Sequence, residues 1–350
     1  MKSLRIAARA ELAGKTKTVL RITTAFAALA ASGIVIALMG YNPFAVFGNI
    51  ISGSLGSMYR LKETITKAIP LCVMALGTAV AFKMKFWNIG QEGQFYLGAY
   101  GAAVIAFAFP DLPSPVLLPL MFLAGCITGG LWAIIPAVLK ITLSANETLV
   151  TLMLNYIAAK WISYLQYSAW KDPNALGFPK ISPFGPNAVL PSLFGVHIGW
   201  IISIVLAAAI FILLKRTKLG YAIEVIGESR DAARYAGLNI FRTTLIAITV
   251  SGGLCGIAGM MQASAVERSI SEQLSGGLGF TSVIIAWLAR LEPAIIIMMA
   301  FLFSLLIQGG NFLQASMKIP SSISQIVQGI IIFFVLGSEF FLRYRIVRKS

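Results

Sequence analysis

Leu219-Gly-Tyr-Ala-Ile-Glu-Val-Ile-Gly-Glu-Ser-Arg-Asp-Ala-Ala-Arg-Tyr-Ala-Gly-Leu-Asn239 is the stretch on which the reading of this chain turns. With Lys215, Arg216 and Lys218 before it and Arg242 after it, it is the most charged part of the chain beyond the amino-terminal tail. On either side stand apolar runs, roughly 198–214 and 244–263, close to the about 20 residues with which a helix crosses a bilayer. A charged segment between two such runs reads as a loop between two membrane spans. Its basic groups indicate its side, because Lys and Arg accumulate in loops that stay in the cytoplasm.

Within this loop the residue order specifies a short helix. Gly227, Glu228 and Ser229 precede a helix-compatible stretch that starts near Asp231. A carboxylate suits a helix amino terminus, where unpaired N–H groups carry partial positive charge. Ala232, Ala233 and Ala236 leave one face without bulk, and Arg230 and Arg234 place charge on another. Gly237 allows a tight exit and Asn239 tolerates a turn. Small residues admit close approach by a partner's groove, and charge fixes its docking. The alternative is a solvated amphipathic connector.

Composition extends this reading to the whole chain. Apolar residues make up 58% of the 350 and charged residues 12%, against about 25% charged in soluble domains. Lipid must cover much of such a surface. The net charge of +15 does not indicate nucleic acid, because the basic residues form no single patch and sit between apolar runs. Candidate spans fall at roughly 22–40, 64–82, 90–109, 115–138, 146–166, 198–214, 244–263, 278–290, 293–310 and 323–342. With the amino terminus inside, they divide the 28 Lys and Arg into 20 inside and 7 outside, with Lys160 within a span. That asymmetry favours an all-α polytopic membrane protein with about ten transmembrane helices and both termini cytoplasmic. Its parts are a cytoplasmic tail 1–21, a transmembrane domain 22–342 and a cytoplasmic tail 343–350. The domain includes the cytoplasmic loop 215–243 and a proline-rich external loop 167–197. The run 22–40 follows a basic start but is long enough to span and is read as a retained helix, not a cleaved signal. Segment 41–63 reads equally as a surface piece or a re-entrant one.

Polar groups inside this frame are few. Asn88, Gln91, Glu92 and Gln94 stand at the mouth of the third span, interleaved with Gly90 and Gly93. Intramembrane polar groups often mark a pathway. A structural role, with Glu92 capping a helix or pairing with a lysine, is an equal reading. Thr148, Thr151 and Asn155 share one face of the fifth span, with Tyr156 beside them, and offer hydrogen bonds to a solute or to a neighbouring helix. Glu147 and Asn146 suit the cap of that helix. Gly125, Gly129 and Gly130, with Gly252, Gly253, Gly256 and Gly259, read as close-packing faces of the fourth and seventh spans. Gly276, Gly277 and Gly279 suggest a broken start to the eighth. Lys160 reads as snorkelling outward. One histidine, His197, and three cysteines within apolar segments supply no metal site. No cofactor is implied. Gly14-Lys15-Thr16 lacks the first glycine of a P-loop, where Arg9 stands, so ATP hydrolysis would belong to another chain.

Three stretches carry a resemblance. Asp231-Ala-Ala-Arg-Tyr-Ala-Gly237 resembles the EAA-type coupling motif of ABC importer permeases, with Asp where Glu is usual. Phe86-Trp-Asn-Ile-Gly-Gln-Glu-Gly-Gln94 and Asn146-Glu-Thr-Leu-Val-Thr-Leu-Met-Leu-Asn-Tyr-Ile157 resemble signatures of the branched-chain amino acid/ribose/nucleoside permease family, closest to its nucleoside-type members. The likeness runs from about residue 20 to the end. It implies a type II-like ABC importer permease fold in a bacterial cytoplasmic (inner) membrane. It also implies a cytoplasmic ABC ATPase subunit, a second and related permease subunit, and an extracytoplasmic substrate-binding protein or lipoprotein. Gly227, Glu228, Arg230, Asp231, Ala232, Ala233, Arg234 and Gly237 would then couple to the ATPase. Asn88, Gln91, Glu92, Gln94, Thr148, Thr151, Asn155 and Tyr156 would be the candidate pathway groups. The solute expected is a nucleoside. An ion-coupled secondary transporter is the alternative.

Overall fold

A computed structural model describes residues 4–8, 14–173, 175, 177, 179–320, 322–323, 325–327, 329–330, 333–334 and 344–348. In chain order the elements run β1 (Leu4–Ala8), α1 (Gly14–Leu38), α2 (Pro43–Leu55), α3 (Met58–Lys83), α4 (Gln91–Ala108), α5 (Ser114–Leu143) and α6 (Glu147–Tyr167). They continue as β2 (Ser192–Leu193), β3 (Val196–His197), α7 (Gly199–Arg216), α8 (Lys218–Glu228), α9 (Arg230–Tyr235), α10 (Ile240–Gln262), α11 (Leu278–Leu288), α12 (Pro293–Met317) and β4 (Tyr344–Arg348). The chain forms two compact units, one of Met1–Thr64 with Leu305–Ser350 and one of Ile65–Ser304.

By length and composition, α3, α5, α7, α10 and α12 suffice to cross a membrane among the described residues, and the bent pair Phe26–Leu38 and Pro43–Leu55 makes a sixth if taken as one span. The other predicted spans are helical but different in kind. The first turn of α4 holds Gln91, Glu92 and Gln94, and α6 carries Glu147, Asn155 and Lys160, which dilute their apolar character. α11 has only 11 residues. The predicted span 323–342 lies largely outside the described residues.

In the first unit, the chain turns by 113° between Phe26–Leu38 and α2. Gly40 takes a left-handed φ of 86° at the break, where a side chain would be strained. Asn42 then caps α2, its Oδ1 accepting from Phe44 N at 3.0 Å, and Pro43 occupies the first turn, where its missing N–H costs nothing. α2 packs Val46 and Ile50 against Ile36, Leu313, Ile319, Ile323 and Val327. Segment 41–63 is thus for the most part a helix folded back on the carboxyl-terminal part of the chain. β1 pairs antiparallel with β4, from Leu4 opposite Arg348 to Ala8 opposite Tyr344, so the two ends lie side by side.

The second unit is built on α4, α5 and α10. A methyl group added at Gly98 would fall on the Gly256 backbone, one at Gly129 on the Gly252 carbonyl, one at Gly256 on the Gly125 carbonyl and one at Gly259 on the Phe95 carbonyl. The predicted glycine faces of α5 and α10 therefore meet directly, with α4 against both. Such approach lets backbones pack where lipid offers no hydrophobic drive. Phe95, Leu117, Met121, Ile248, Met260 and Met261 fill the remaining space and are fully buried. The described residues between α6 and α7 are mostly irregular, as the prolines predict, with the β2–β3 hairpin and an isolated bridge between Lys171 and Ile181.

Candidate functional site

Between α3 and α4 the chain leaves the helix at Met84 and runs without regular structure through Phe86–Gly90. Backbone polar groups freed in an apolar interior must find partners. Side chains from α6 supply them. Thr151 Oγ1 accepts from Ile89 N at 3.2 Å, Asn155 Nδ2 donates to Ile89 O at 2.8 Å, and Asn155 Oδ1 accepts from Gly93 N at 2.8 Å. The polar face predicted on the fifth span is thus spent on this unwound segment.

The segment's own side chains close the junction. Asn88 Oδ1 accepts from Gly90 N at 3.0 Å and from Gln94 Nε2 at 3.1 Å. Asn88 Nδ2 donates to Gln94 Oε1 and to Ser251 Oγ on α10, both at 3.3 Å. Gln91 Nε2 donates to Asn88 O at 2.7 Å, while Gln91 Oε1 is buried without a partner among the described residues. Asn88, Gln91, Gln94, Thr151 and Asn155 are all buried. Glu92 points the other way, toward the start of α11. Its Oε2 accepts from Gly279 N at 2.7 Å and its Oε1 from Ser275 Oγ.

Two candidate pathway residues stand apart. Thr148 is half-buried at the cap of α6, where Asn146 Oδ1 accepts from Thr148 N at 3.0 Å and Glu147 pairs with Lys140 at 2.7 Å. Tyr156, next to Asn155 in sequence, is turned out of the junction and 65% exposed. Lys160 is exposed and pairs with Glu272 at 2.6 Å.

The charged segment forms two helices. α9 starts where the sequence predicts, capped by Ser229, whose Oγ accepts from Ala232 N at 3.2 Å. It ends before Gly237, whose φ of 71° makes the tight exit. Asn239 caps α10 by accepting from Arg242 N at 2.9 Å. The sequence reading assigns no element to 218–228, which the structure makes helix α8.

Candidate coupling residues divide by burial. Glu228, Arg230, Asp231, Ala232, Arg234 and Gly237 are exposed, whereas Gly227 and Ala233 face inward. Ala233 therefore belongs to the packed side, not to the open face with Ala232 and Ala236. A methyl group at Gly227 would fall on the Lys83 carbonyl at the end of α3, and Thr244 Oγ1 lies 3.6 Å from Met84 Sδ. The segment is thus in backbone contact with the point where α3 unwinds.

Residues outside the predicted set complete this end. Tyr235, 96% exposed on α9, is the largest side chain offered there. Its signal in the sequence is an aromatic residue placed among small ones. Glu292, between α11 and α12, accepts from Lys83 at 3.2 Å and Lys215 at 3.0 Å, joining the ends of α3 and α7 to that hairpin. Burial raises the Glu292 pKa, but the hydrogen bonds from Lys215 and Lys83 outweigh it and hold the carboxyl below its ordinary value. Trp87 and Trp287 stack beside them at 5.5 Å between centroids.

Comparison with known proteins bears on what these parts serve. The family model described as branched-chain amino acid transport system / permease component matches residues 60–336. A glucose ABC transporter permease protein of Haloferax volcanii is 30% identical over 93% of this chain and 88% of its own length. A nucleoside ABC transporter permease protein of Lactococcus lactis is 31% identical over 86% of each, and a guanosine ABC transporter permease protein of Bacillus subtilis is 28% identical over 89% of this chain and 90% of its own. A match of that extent, on a chain rich in membrane-length helices, has one meaning: this chain belongs to the branched-chain amino acid transport permease family, and is a multi-pass transport subunit, not an enzyme.

Proposed function

We propose that the chain is one of two permease subunits of an ATP-driven importer that carries a nucleoside across a bacterial cytoplasmic membrane. The observation that carries this reading is the α8–α9 segment. It offers Arg230, Asp231, Ala232, Arg234 and Tyr235 to solvent while touching α3 where that helix unwinds. A surface that a partner can grip, in backbone contact with a membrane helix, can transmit the work of an ATPase. In this reading α9 docks on a cytoplasmic ATPase subunit, the second permease subunit is a related chain, and an extracytoplasmic binding protein or lipoprotein delivers the solute.

The topology proposed with it has about ten crossings and both ends in the cytoplasm. The division of basic residues supports it, and so does the pairing of β1 with β4, which a chain with ends on opposite sides does not allow. In this reading the path runs beside the junction of Asn88, Gln91, Gln94, Thr151 and Asn155, whereas Thr148 and Tyr156 stand apart from it. The junction's amides and hydroxyls are bonded to one another, and Gln91 Oε1 is its one buried polar atom without a partner among the described residues, so the reading of a neutral solute leans on the relatives. Nucleoside and guanosine permeases among the relatives point the same way, and the glucose permease makes a sugar the competing cargo.

The alternative of an ion-coupled secondary transporter has one observation in its favour, the buried carboxylate of Glu92, since such transporters keep carboxylates inside the membrane. Proteoliposomes decide between the two. Radiolabelled uridine should enter only when the chain is reconstituted with its ATPase, ATP and binding protein, and unlabelled nucleosides, not glucose, should compete. Uptake by the chain alone under a proton or sodium gradient overturns the importer reading. Competition by glucose alone reassigns the cargo.

A further inference from the structure

α11 has 11 residues, a length of about 16 Å and so about half the apolar thickness of a bilayer. One end adjoins Glu292, tied to Lys83 and Lys215. The other end is buried in the protein at Ser275 and Gly279. The first N–H groups of any helix have no partner within it, and in an apolar interior each unsatisfied group is costly. Glu92 answers that need: Gly279 N donates to its Oε2 at 2.7 Å, and Ser275 Oγ donates to its Oε1. The carboxyl oxygens of Glu92 thus take the place that a capping side chain holds at an exposed helix start. Just before the helix, Gly276 and Gly277 take left-handed φ values of 54° and 86°, a junction that bends without side-chain strain.

Glu92 itself follows the unwound segment that begins beside Gly227 and Lys83. The charged α8–α9 segment thus reaches α11 by two routes. Lys83 and Glu292 lead to its carboxyl-terminal end, and the 84–90 segment and Glu92 lead to its amino-terminal end. We infer that Glu92 is a positioning residue for transport, pinning the start of the half-length helix α11 so that movement of the α8–α9 segment carries α11 with it. The inference rests on the permease reading above and assigns Glu92 a task distinct from contact with the solute.

The test uses the complete reconstituted transporter. Glu92→Ala should lower maximal uptake per assembled complex at least about tenfold, the scale of a lost hydrogen bond to a charged group, and leave half-saturation unchanged. Glu92→Gln keeps an acceptor for Gly279 N and should stay within about threefold of the unmodified protein. Should Glu92→Ala fail to assemble, Ser275→Ala supplies the second measurement. It should slow uptake about threefold and speed thiol labelling of a Leu278→Cys reporter, because the helix start is less firmly held. Unchanged uptake in an assembled Glu92→Ala variant overturns the inference. So does equal loss in the Gln and Ala variants, or unchanged uptake and labelling in Ser275→Ala. If the unmodified complex shows no ATP-dependent uptake, the transporter reading fails instead, and the labelling result still reports on the pin.

Discussion

His197 is buried in β3, and neither ring nitrogen has a partner among the described residues. Burial pushes its pKa down to about 4 from 6.5. Above pH 6.5 the ring is neutral in folded and unfolded chains alike. Between 6.5 and about 4 the unfolded chain takes up a proton that the folded one refuses. Stability is therefore full above pH 6.5 and falls as pH drops toward 4, by roughly 3 kcal/mol from this group. Melting of the purified protein in detergent at pH 6.5 and pH 4 checks it: His197→Phe should lose less stability between the two than the unmodified protein. The partners of other single residues were only half legible. Thr151 and Asn155 were readable as one polar face, because helical spacing is local. That Glu92 would meet Ser275, 183 residues later in the chain, has no local signal.

At the scale of elements, the glycine stripes of α5 and α10 were the most readable feature, since close packing leaves no room for any other residue. Gly256→Ala puts a methyl group against the Gly125 carbonyl, and backbone on both sides cannot step aside. It should destabilise the protein by about 1–3 kcal/mol or more, read as an earlier thermal transition in detergent, whereas Gly48→Ala, with open space around it, should not. The bounds of α9 were also legible, from a start near Asp231 to the exit at Gly237, but the caps were not: Ser229 caps α9 and Asn239 caps α10. The shape of segment 41–63 was not, because an apolar piece of that length suits a surface helix or a re-entrant one equally. Its fold, a helix bent by 113° from the one before it and packed against Leu313 and Ile323, depends on contacts distant in the chain.

For the whole molecule, the exposed face of α9 is where a second chain should bind. Tyr and Arg dominate binding energy at interfaces, so Tyr235→Ala should weaken association with the ATPase by at least about tenfold. Arg234→Ala should act more mildly, because its charge is solvent-screened and contacts Asp231 only loosely, at 3.8 Å. Copurification with the ATPase in mild detergent measures both, and normal recovery of the complex with Tyr235→Ala would place the docking surface elsewhere. Glu292→Gln leaves Lys83 and Lys215 facing each other without the carboxylate between them. Uptake should fall while binding of the ATPase persists, since the tie lies inside the permease and not at its docking face.

The charged α8–α9 segment marks the division between what composition and local order determine and what the fold alone decides. Hydropathy, the placement of basic residues and the Ser229–Gly237 helix signals act over a few residues or a single span, so the sequence by itself determined a helical membrane protein with a short, charged helix between two of its apolar runs. Only the tertiary structure decided what that helix reaches. The contact of Gly227 with Lys83, the joining of α3, α7 and the α11–α12 hairpin at Glu292, and the hold of Glu92 on α11 all join residues far apart in the chain. The physical reason is that interior polar groups must be satisfied by whichever partner packing brings within reach, and packing is a property of the whole chain.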